Sequence, residues 1–441
     1  TQEYLELIKG VDAWFLDGFS PSKNPDLWSK KLFDLISHSC KRHATFATYT
    51  SAGTVKQNLR ESGFDIKKIN GFSNKRHMLK GISSSGQKIT ENPSKVAVIG
   101  SGIAGCLLSY SLAKKGLEVD LFEQSDDICS GASSHELLVA YPRLSAHDNA
   151  YGRFNLLSYL YAVNFYDNLN STAWQKTGVL VLNHDKNSNK RQESLMHHRF
   201  DKDIYQHLSP EEASTISGIS IDLDGLLYRD AGYILPRQLC EVLIDSPNIN
   251  LKTSSKIESL SRDQKITSFK IGSKEYKYKN VCLSTGSDTS KLLNIDGLSI
   301  KRGQTTHLEK DRNISGINLP ICAKGYVSPL VNNIHVVGSS YSDLEHLDIV
   351  QEEHLSNLEN LKIIHDGAVA VDSGKVGFRA VSKDHMPMVG EVDGIYINTC
   401  HGSRASISAP ISAEIISSYI LKEAPPLEIR ELQALSPKRF N

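Results

Sequence analysis

The chain has 441 residues, 39% hydrophobic and 23% charged, an ordinary globular composition with material for two or three domains. Its 50 Lys and Arg balance 50 Asp and Glu, so no global field draws it to nucleic acid, and any such partner must be met by a local basic patch. No apolar run approaches the ~18 residues that span a bilayer, and Thr1-Gln-Glu-Tyr-Leu-Glu6 lacks the charged start and apolar core of a secretion signal, which predicts a soluble, cytoplasmic protein without a membrane partner.

The seven cysteines (Cys40, Cys106, Cys129, Cys240, Cys282, Cys322, Cys400) are scattered and form no C-x-x-C pair, which predicts reduced thiols and no metal site. Thr1 is not an initiator Met, which places the expected N-terminus upstream.

Residues 1–80 read as strand, helix, strand, helix and hairpin, the second half of an α/β unit. The apolar run Val11–Asp17 is the first strand, and it leads into the loop Gly18-Phe-Ser-Pro-Ser-Lys-Asn24-Pro25. A helix is predicted around Leu27–Cys40, a strand over Ala44–Tyr49, and a second helix through Leu59 capped by Thr50 and Ser51. Phe64–Met78 predicts the closing hairpin, with Asn70-Gly71 near its turn. Residues 81–94 are polar, Ser- and Gly-rich and aperiodic, the pattern of a linker.

Lys95–Glu123 carries the clearest signal. An apolar strand, Lys95–Ile99, feeds Gly100-Ser101-Gly102-Ile103-Ala104-Gly105, a helical pattern follows, and a second strand ends on Glu123, about 20 residues after the loop. Gly100 permits the tight turn, Gly102 lets a pyrophosphate approach the backbone, and Gly105 lets helix and strand pack closely, while the helix N-terminus offers free N–H groups. Glu123, with its neighbour Gln124, is placed to hold ribose hydroxyls, and an acid there argues against a 2′-phosphate and so against NADP.

Further on, Tyr151–Leu169 predicts a helix with a core-facing aromatic stripe, Asn183–Phe200 a solvated polar stretch, and Gly178–Asn183 and Ile216–Ile234 β-like runs. Pro236–Ile244 reads as a helix with Pro in its first turn. Tyr278–Leu283 is a strand leading to Ser284-Thr285-Gly286, a turn suited to close approach of a ligand. Thr305–Leu308, Tyr326–Leu330 and Ile334–Gly338 read as strands, Leu355–Ile364 as a helix and Gly377–Gly390 as a Pro/Gly-rich loop. Ile395–Thr399 is a strand, and Gly402-Ser403-Arg404 precedes a helix from about Pro410 to Leu421 whose N–H groups suit a flavin ring. The interruption of βαβ pieces by a β-rich middle predicts a cofactor domain built from discontinuous segments, the layout of a flavin oxidoreductase.

Gly100–Gly105, Gly377-Phe-Arg-Ala with Asp384-His-Met-Pro-Met-Val-Gly390, and Gly402-Ser-Arg with Ser408-Ala-Pro-Ile-Ser-Ala-Glu-Ile resemble the D-amino-acid and glycine oxidase type of FAD protein. With Asp17-Gly-Phe-Ser-Pro-Ser-Lys-Asn-Pro25 upstream, the whole chain resembles the family of bifunctional tRNA 5-methylaminomethyl-2-thiouridine biosynthesis proteins. The resemblance implies an α/β chain: residues 1–80 as the C-terminal half of a Rossmann-like methyltransferase, 81–94 as linker, and 95–441 as an FAD oxidoreductase. Its dinucleotide segments would lie at about 95–150, 230–295 and 365–425, and those of an interleaved β-rich substrate domain at about 175–230 and 296–364.

The implied activity is FAD-dependent removal of the carboxymethyl group from 5-carboxymethylaminomethyl-(2-thio)uridine at the tRNA wobble position, followed in the family by methylation from S-adenosylmethionine. The family's S-adenosylmethionine loop should precede Asp17 by many tens of residues, so this chain is expected neither to bind that cofactor nor to methylate. A monomer is expected. Arg379 is a candidate carboxylate clamp, with pairing to Asp384 as the alternative, and Tyr326 either lines the same pocket or is core. Asp17 either receives the amine proton in methyl transfer or is a turn residue, and Lys75 and Arg76 are phosphate contacts or merely solvated. The FAD site is expected to include Gly286, Gly402, Ser403 and Arg404 beside the Gly-rich loop. At Ser134-His135-Glu136-Leu137-Leu138 the chain departs from the family's more polar, Gly-containing segment beside the flavin. A small-molecule amino-acid oxidase and a non-catalytic tRNA-binding remnant remain the alternative readings.

Overall fold

The computed structural model describes every residue except 1–4, 7, 72–74, 85–94, 198–203, 312 and 441. The chain divides into two compact units, residues 1–94 with 417–429 and residues 95–416 with 430–441.

In the first unit four strands lie in the order Val11–Phe15, Cys40–Thr48, His77–Ser83, Phe64–Asn70, the first pair parallel and the others antiparallel. Helices Lys30–Ser39 and Gly53–Glu61 contribute Phe33, Ile36, Val55 and Leu59 to a core shared with Trp28, Phe46, Phe64 and Leu79. The helix predicted from Leu27 is broken at Ser29. A 3₁₀ turn spans Pro25–Trp28, and Ser29, in extended conformation, caps the next helix by accepting the Leu32 N–H at 3.3 Å. Thr50 and Ser51 do not cap the second helix. Its N-cap is Ala52, whose N–H is taken by Thr50 Oγ1 at 3.3 Å.

The hairpin also extends further than predicted, because Gly81–Ser83 belong to its last strand rather than to a linker. A Cβ at Gly81 would fall 2.1 Å from the Asp65 carbonyl oxygen and 2.4 Å from the Phe46 ring, so glycine there serves close packing. The rest of the expected linker, residues 85–94, lies outside the described residues.

The second unit is built on a six-stranded sheet in the order Ile249–Lys252, Glu118–Phe122, Lys95–Ile99, Asn280–Leu283, Ile395–Thr399, Met388–Val392. All neighbours are parallel except the last pair. Its strands are almost continuously apolar because the sheet is covered, by helix Ile103–Lys114 and by the antiparallel meander Leu260–Asp263, Ile266–Ile271, Lys274–Tyr278. Phe122 anchors the meander edge-on to Phe269 and Tyr276, with centroids 5.2 and 5.3 Å away.

A second, largely antiparallel sheet of eight strands runs Gln206–Leu208, Gly225–Tyr228, Val179–Leu182, Ile321–Cys322, Tyr326–Val327, Ile334–Gly338, Leu298–Glu309, Val371–Ser382. Its last pair consists of two twelve-residue strands.

Four predictions are corrected in this unit. The polar stretch after Asn183 forms helix Lys186–His197, which buries Gln192 and Leu195, too sparse an apolar stripe to register as periodicity. Ile216 lies in helix Pro210–Ser217, started by a capping box of Ser209 and Glu212, and only Gly225–Tyr228 and Gly232–Ile234 are strands. Gly377–Ser382 is strand rather than loop, in register with Leu298–Gly303. The last long helix begins at Ala405, not Pro410. Pro410 has no N–H for the Ser406 carbonyl one turn back, and the buried Tyr166 hydroxyl donates to that oxygen instead, at 2.6 Å.

Candidate active site

The parallel strands Lys95–Ile99 and Asn280–Leu283 end side by side, and their following turns, Gly100–Gly102 and Ser284–Gly286, open a cavity of about 610 Å³ at the carboxyl end of the sheet. Gly100 has φ +98°, and a Cβ there would lie 2.6 Å from the Ser284 carbonyl oxygen. A Cβ on Gly105 would lie 1.8 Å from the Gly100 carbonyl oxygen, so this glycine holds the helix against the turn. Gly102 is the N-cap of helix Ile103–Lys114 and offers no side chain to shield the N–H groups behind it.

Gly100, Gly102, Ile103, Ala104, Glu123, Gln124, Gly286, Gly402 and Arg379 all line this cavity. Ser101, Gly105, Ser403, Arg404 and Tyr326 are not among its lining residues. Ser101 instead braces the loop, its N–H and hydroxyl both donating to Glu123 Oε2, at 2.9 and 2.8 Å. Glu123 Oε1 accepts the Ser125 N–H at 3.0 Å, so the carboxylate is oriented at the cavity edge by three donors.

The cavity also uses side chains that pattern reading did not single out by their chemistry. Ser133 Oγ accepts the Ile103 N–H at 3.1 Å, at the helix end suited to a phosphate. The buried Ser284 hydroxyl lines the cavity and has no partner among the described residues. Asn398 donates to the Ala104 carbonyl at 3.3 Å and shares a 3.0 Å hydrogen bond with His401 Nε2, while His401 Nδ1 meets Ser408 Oγ at 2.8 Å. Burial pushes His401 down to about 4, so its ring is neutral at pH 7.

Arg379 closes the other end. It stands on strand Val371–Ser382 opposite Lys301, with its guanidinium laid over Gly303 of the neighbouring strand. A Cβ at Gly303 would lie 2.0–2.2 Å from Nη1, Nη2 and Cζ of that guanidinium. Nη1 donates to the Ser340 carbonyl at 3.1 Å, Nη2 donates to Ser339 Oγ, and the Tyr341 ring lies 6.0 Å from Cζ.

Asp384 does not pair with Arg379. It is held by Arg439, at 2.8 and 2.9 Å, and among the described residues no carboxylate forms an ion pair with Arg379. Burial presses the charged guanidinium down from its ordinary value, against the opposing pull of Tyr326, Tyr341 and Glu353. Tyr326 is half-buried in the adjoining strands, paired with Gly338 beside Ser339, and burial raises its phenol.

The departing segment 134–138 folds around the same end. His135 is buried, its Nδ1 is 3.3 Å from Thr305 Oγ1, and burial together with the nearby Arg379 holds it down at about 3. Gly377 leaves room for it, since a Cβ there would meet His135 Nε2 at 3.1 Å. Glu136 is 3.5 Å from Lys375.

In the other unit Asp17 is exposed just beyond strand Val11–Phe15. Its loop is fixed by Tyr49, which donates to the Gly18 carbonyl at 2.8 Å, and by Trp28 Nε1, which donates to the Phe19 carbonyl at 2.8 Å. Lys75 lies 5.4 Å from the Tyr49 ring centroid, a cation–π contact on the face of that loop's anchor. Among the described residues no His, Cys, Asp and Glu group is arranged to hold a metal, and no helix is long and apolar enough to cross a membrane. The seven cysteines are buried and free of disulfides.

Residues 95–419 match the family model described as FAD dependent oxidoreductase, and residues 2–84 match that of an S-adenosyl-L-methionine-dependent methyltransferase. Glycine oxidase from Geobacillus kaustophilus superposes with a TM-score of 0.68 at 17% identity, over 78% of this chain and 99% of its own. Iminodiacetate oxidase from Chelativorans sp. BNC1 gives 0.64 at 18%, over 78% and 98%. The tRNA 5-methylaminomethyl-2-thiouridine biosynthesis bifunctional protein of Nitrosospira multiformis is 33% identical over 98% of this chain and 74% of its own length. That of Methylobacillus flagellatus is 30% identical over 99% and 73%. A Gly-rich turn at the end of one sheet and a half-buried arginine without an ion pair on the other thus sit in a chain that belongs to the FAD-dependent oxidoreductases and, within them, to the tRNA 5-methylaminomethyl-2-thiouridine biosynthesis bifunctional proteins.

Proposed function

We propose that this chain oxidatively removes the carboxymethyl group from 5-carboxymethylaminomethyl-(2-thio)uridine at the wobble position of tRNA. The observation that carries the reading is Arg379, a half-buried guanidinium lining the cavity with no ion-paired carboxylate among the described residues. The substituent of this base is an N-alkylated glycine, whose carboxylate is the planar anion that a guanidinium binds through two parallel hydrogen bonds.

The residues fit FAD. The Ser284 hydroxyl is buried, unpartnered and on the wall, Gly286 at φ +54° leaves open space where a side chain would stand, and Gly102 exposes the helix N-terminus. Gly100, Gly102, Ile103 and Ala104 would hold the pyrophosphate, Glu123 and Gln124 the adenosine ribose, and Gly286 and Gly402 the ring end. When bound, FAD would accept a hydride, and with it two electrons, from the glycine CH₂ as the adjacent N–H loses its proton, turning the CH–NH unit of the substrate into an imine.

Arg379 fixes the carboxylate and so presents the adjacent CH₂ at one distance from the ring end. Its positive charge also excludes substituents without an anion there. Water then adds to the imine carbon, the C–N bond breaks, and the aminomethyl base and glyoxylate leave. Tyr326, next to this end, lines the approach of the base. Asp17, exposed at a strand end in the other unit, is the acceptor for an amine proton in the family's methyl-transfer step.

Incubating the purified chain with tRNA that carries the carboxymethylaminomethyl base, and resolving the wobble nucleosides by mass spectrometry, tests the reading. Loss of the 58 Da carboxymethyl increment, counted as about 58 from its C₂H₂O₂ formula by the bond broken above, is the expected result. Unchanged nucleoside from protein that carries FAD would sink it, and turnover of free glycine or sarcosine without tRNA would move the assignment to a small-molecule oxidase.

A further inference from the structure

We propose that Arg143, Arg191 and Arg404, together with Tyr141, form a subsite for one phosphodiester of the RNA backbone beside the target nucleotide. The inference rests on the tRNA reading above and deepens it.

Two arginines from separate segments, one just before a helix and one within another, grip one short loop. Arg404, at the start of helix Ala405–Leu421, donates from Nη1 to the Tyr141 carbonyl at 3.1 Å and lays its guanidinium 5.0 Å from the Tyr141 ring centroid. Arg191, on helix Lys186–His197, donates from Nη2 to the Leu144 carbonyl at 3.3 Å. The gripped loop carries the third, Arg143, whose side chain is exposed. Tyr228, itself buried, lies 6.2 Å from Tyr141 and backs its ring from the core side.

Among the described residues none of the three arginines forms an ion pair with a carboxylate, which is also true of other arginines such as Arg379; what sets these three apart is that they stand together. Burial, and the neighbouring Arg143 and Arg404, push Arg191 down from its ordinary value. Like charges gathered without a counter-ion cost free energy that a bound anion recovers.

Position identifies the anion. Arg404 is followed by Ala405 and lies two residues after Gly402, both on the wall of the cavity, so the cluster flanks the end where the base would enter. The substrate's carboxylate is already matched by Arg379, and the next anion on a nucleotide seated there is its backbone phosphate. Guanidiniums bind phosphates bidentately, and a half-exposed tyrosine ring beside them, here Tyr141, can stack an unpaired base of a loop. A chain of zero net charge also needs such a local cluster to hold RNA at all.

The test is retention of tRNA on filters by the full chain as a function of salt, for the wild type, Arg143→Gln and Arg191→Met, with bound-flavin absorbance and thermal melting confirming the fold. Each variant is expected to bind about 3- to 10-fold more weakly at 0.1 M salt and to lower the slope of log K against log salt by about 0.7, the value of one single-strand phosphate contact. The loss should be equal for tRNA with and without the carboxymethylaminomethyl group. A loss confined to the carboxylate-bearing tRNA, or an unchanged slope for both variants, overturns the subsite. Should Arg191→Met fail to fold, the exposed Arg143→Gln decides alone. Wild-type protein that retains no tRNA overturns the functional reading and the subsite together, whereas retention by the wild type and equally by the variants overturns the subsite only.

Discussion

At the scale of single residues, the site depends on positions where a side chain is missing. Arg379 occupies the space that a Cβ on Gly303 would take, so Gly303→Ala should displace the guanidinium without harming the strand, where alanine is otherwise no worse than glycine. The expected outcome is a rise in KM for the modified tRNA with flavin content unchanged, read by steady-state kinetics beside the visible spectrum. Arg379→Lys keeps the charge but loses the planar fork. A loss of about 1.5–3 kcal/mol, on the order of 10- to 100-fold in kcat/KM, should follow. Equal kinetics for Lys and Arg would remove the bidentate clamp from the account.

At the scale of elements, the long helix Ala405–Leu421 survives an internal proline because a side chain from another helix supplies the donor that the backbone lost. Tyr166→Phe leaves the Ser406 carbonyl unsatisfied in a buried place and should destabilise the protein by about 1–3 kcal/mol. In a Pro410→Ala background the restored N–H can serve the same oxygen, so the tyrosine should matter less. Denaturant midpoints of the two single variants and the double variant form a cycle whose coupling term must be non-zero if this account holds.

This helix also shows what the sequence did not reveal. Proline argues locally for a helix start, and the compensating hydroxyl is 240 residues away in the chain, beyond any window of pattern reading. The strand Val371–Ser382 was missed for a related reason. Its glycines read as loop formers, yet Gly377 and Gly303 face each other in the ladder to admit His135 and Arg379. By contrast the strand, Gly-rich loop, helix and acid of Lys95–Glu123 were legible because every constraint there is local, and the arginine clamp was legible only as a residue type, since its release from Asp384 depends on Arg439 near the chain's end.

At the scale of the whole molecule, buried neutral histidines tie stability to pH. His401 and His135 are held near about 4 and about 3, while an unfolded histidine titrates near about 6.5. Between these values the unfolded chain binds protons that the folded chain refuses. Stability is therefore fully present above about pH 6.5 and is lost progressively as the pH falls toward 4. Urea midpoints at pH 7, 6 and 5 should decline in that order, and His401→Gln should flatten part of the decline. A midpoint independent of pH over this range would show that neither ring stays neutral.

The bare backbone beneath Arg379 has a consequence for selectivity. Peptide planes have no rotamers, and the two twelve-residue strands that carry Gly303 and Arg379 lock each other's register, so the guanidinium cannot slide toward a longer or shorter substrate. It acts as the zero mark of a ruler whose other end is the ring-binding end of the cavity. A carboxyethyl substituent, one methylene longer, would overshoot the mark by more than about 1 Å, an error that costs on the order of 10²-fold in rate. Carboxymethyl- and carboxyethyl-bearing tRNAs offered in competition would read that ruler directly.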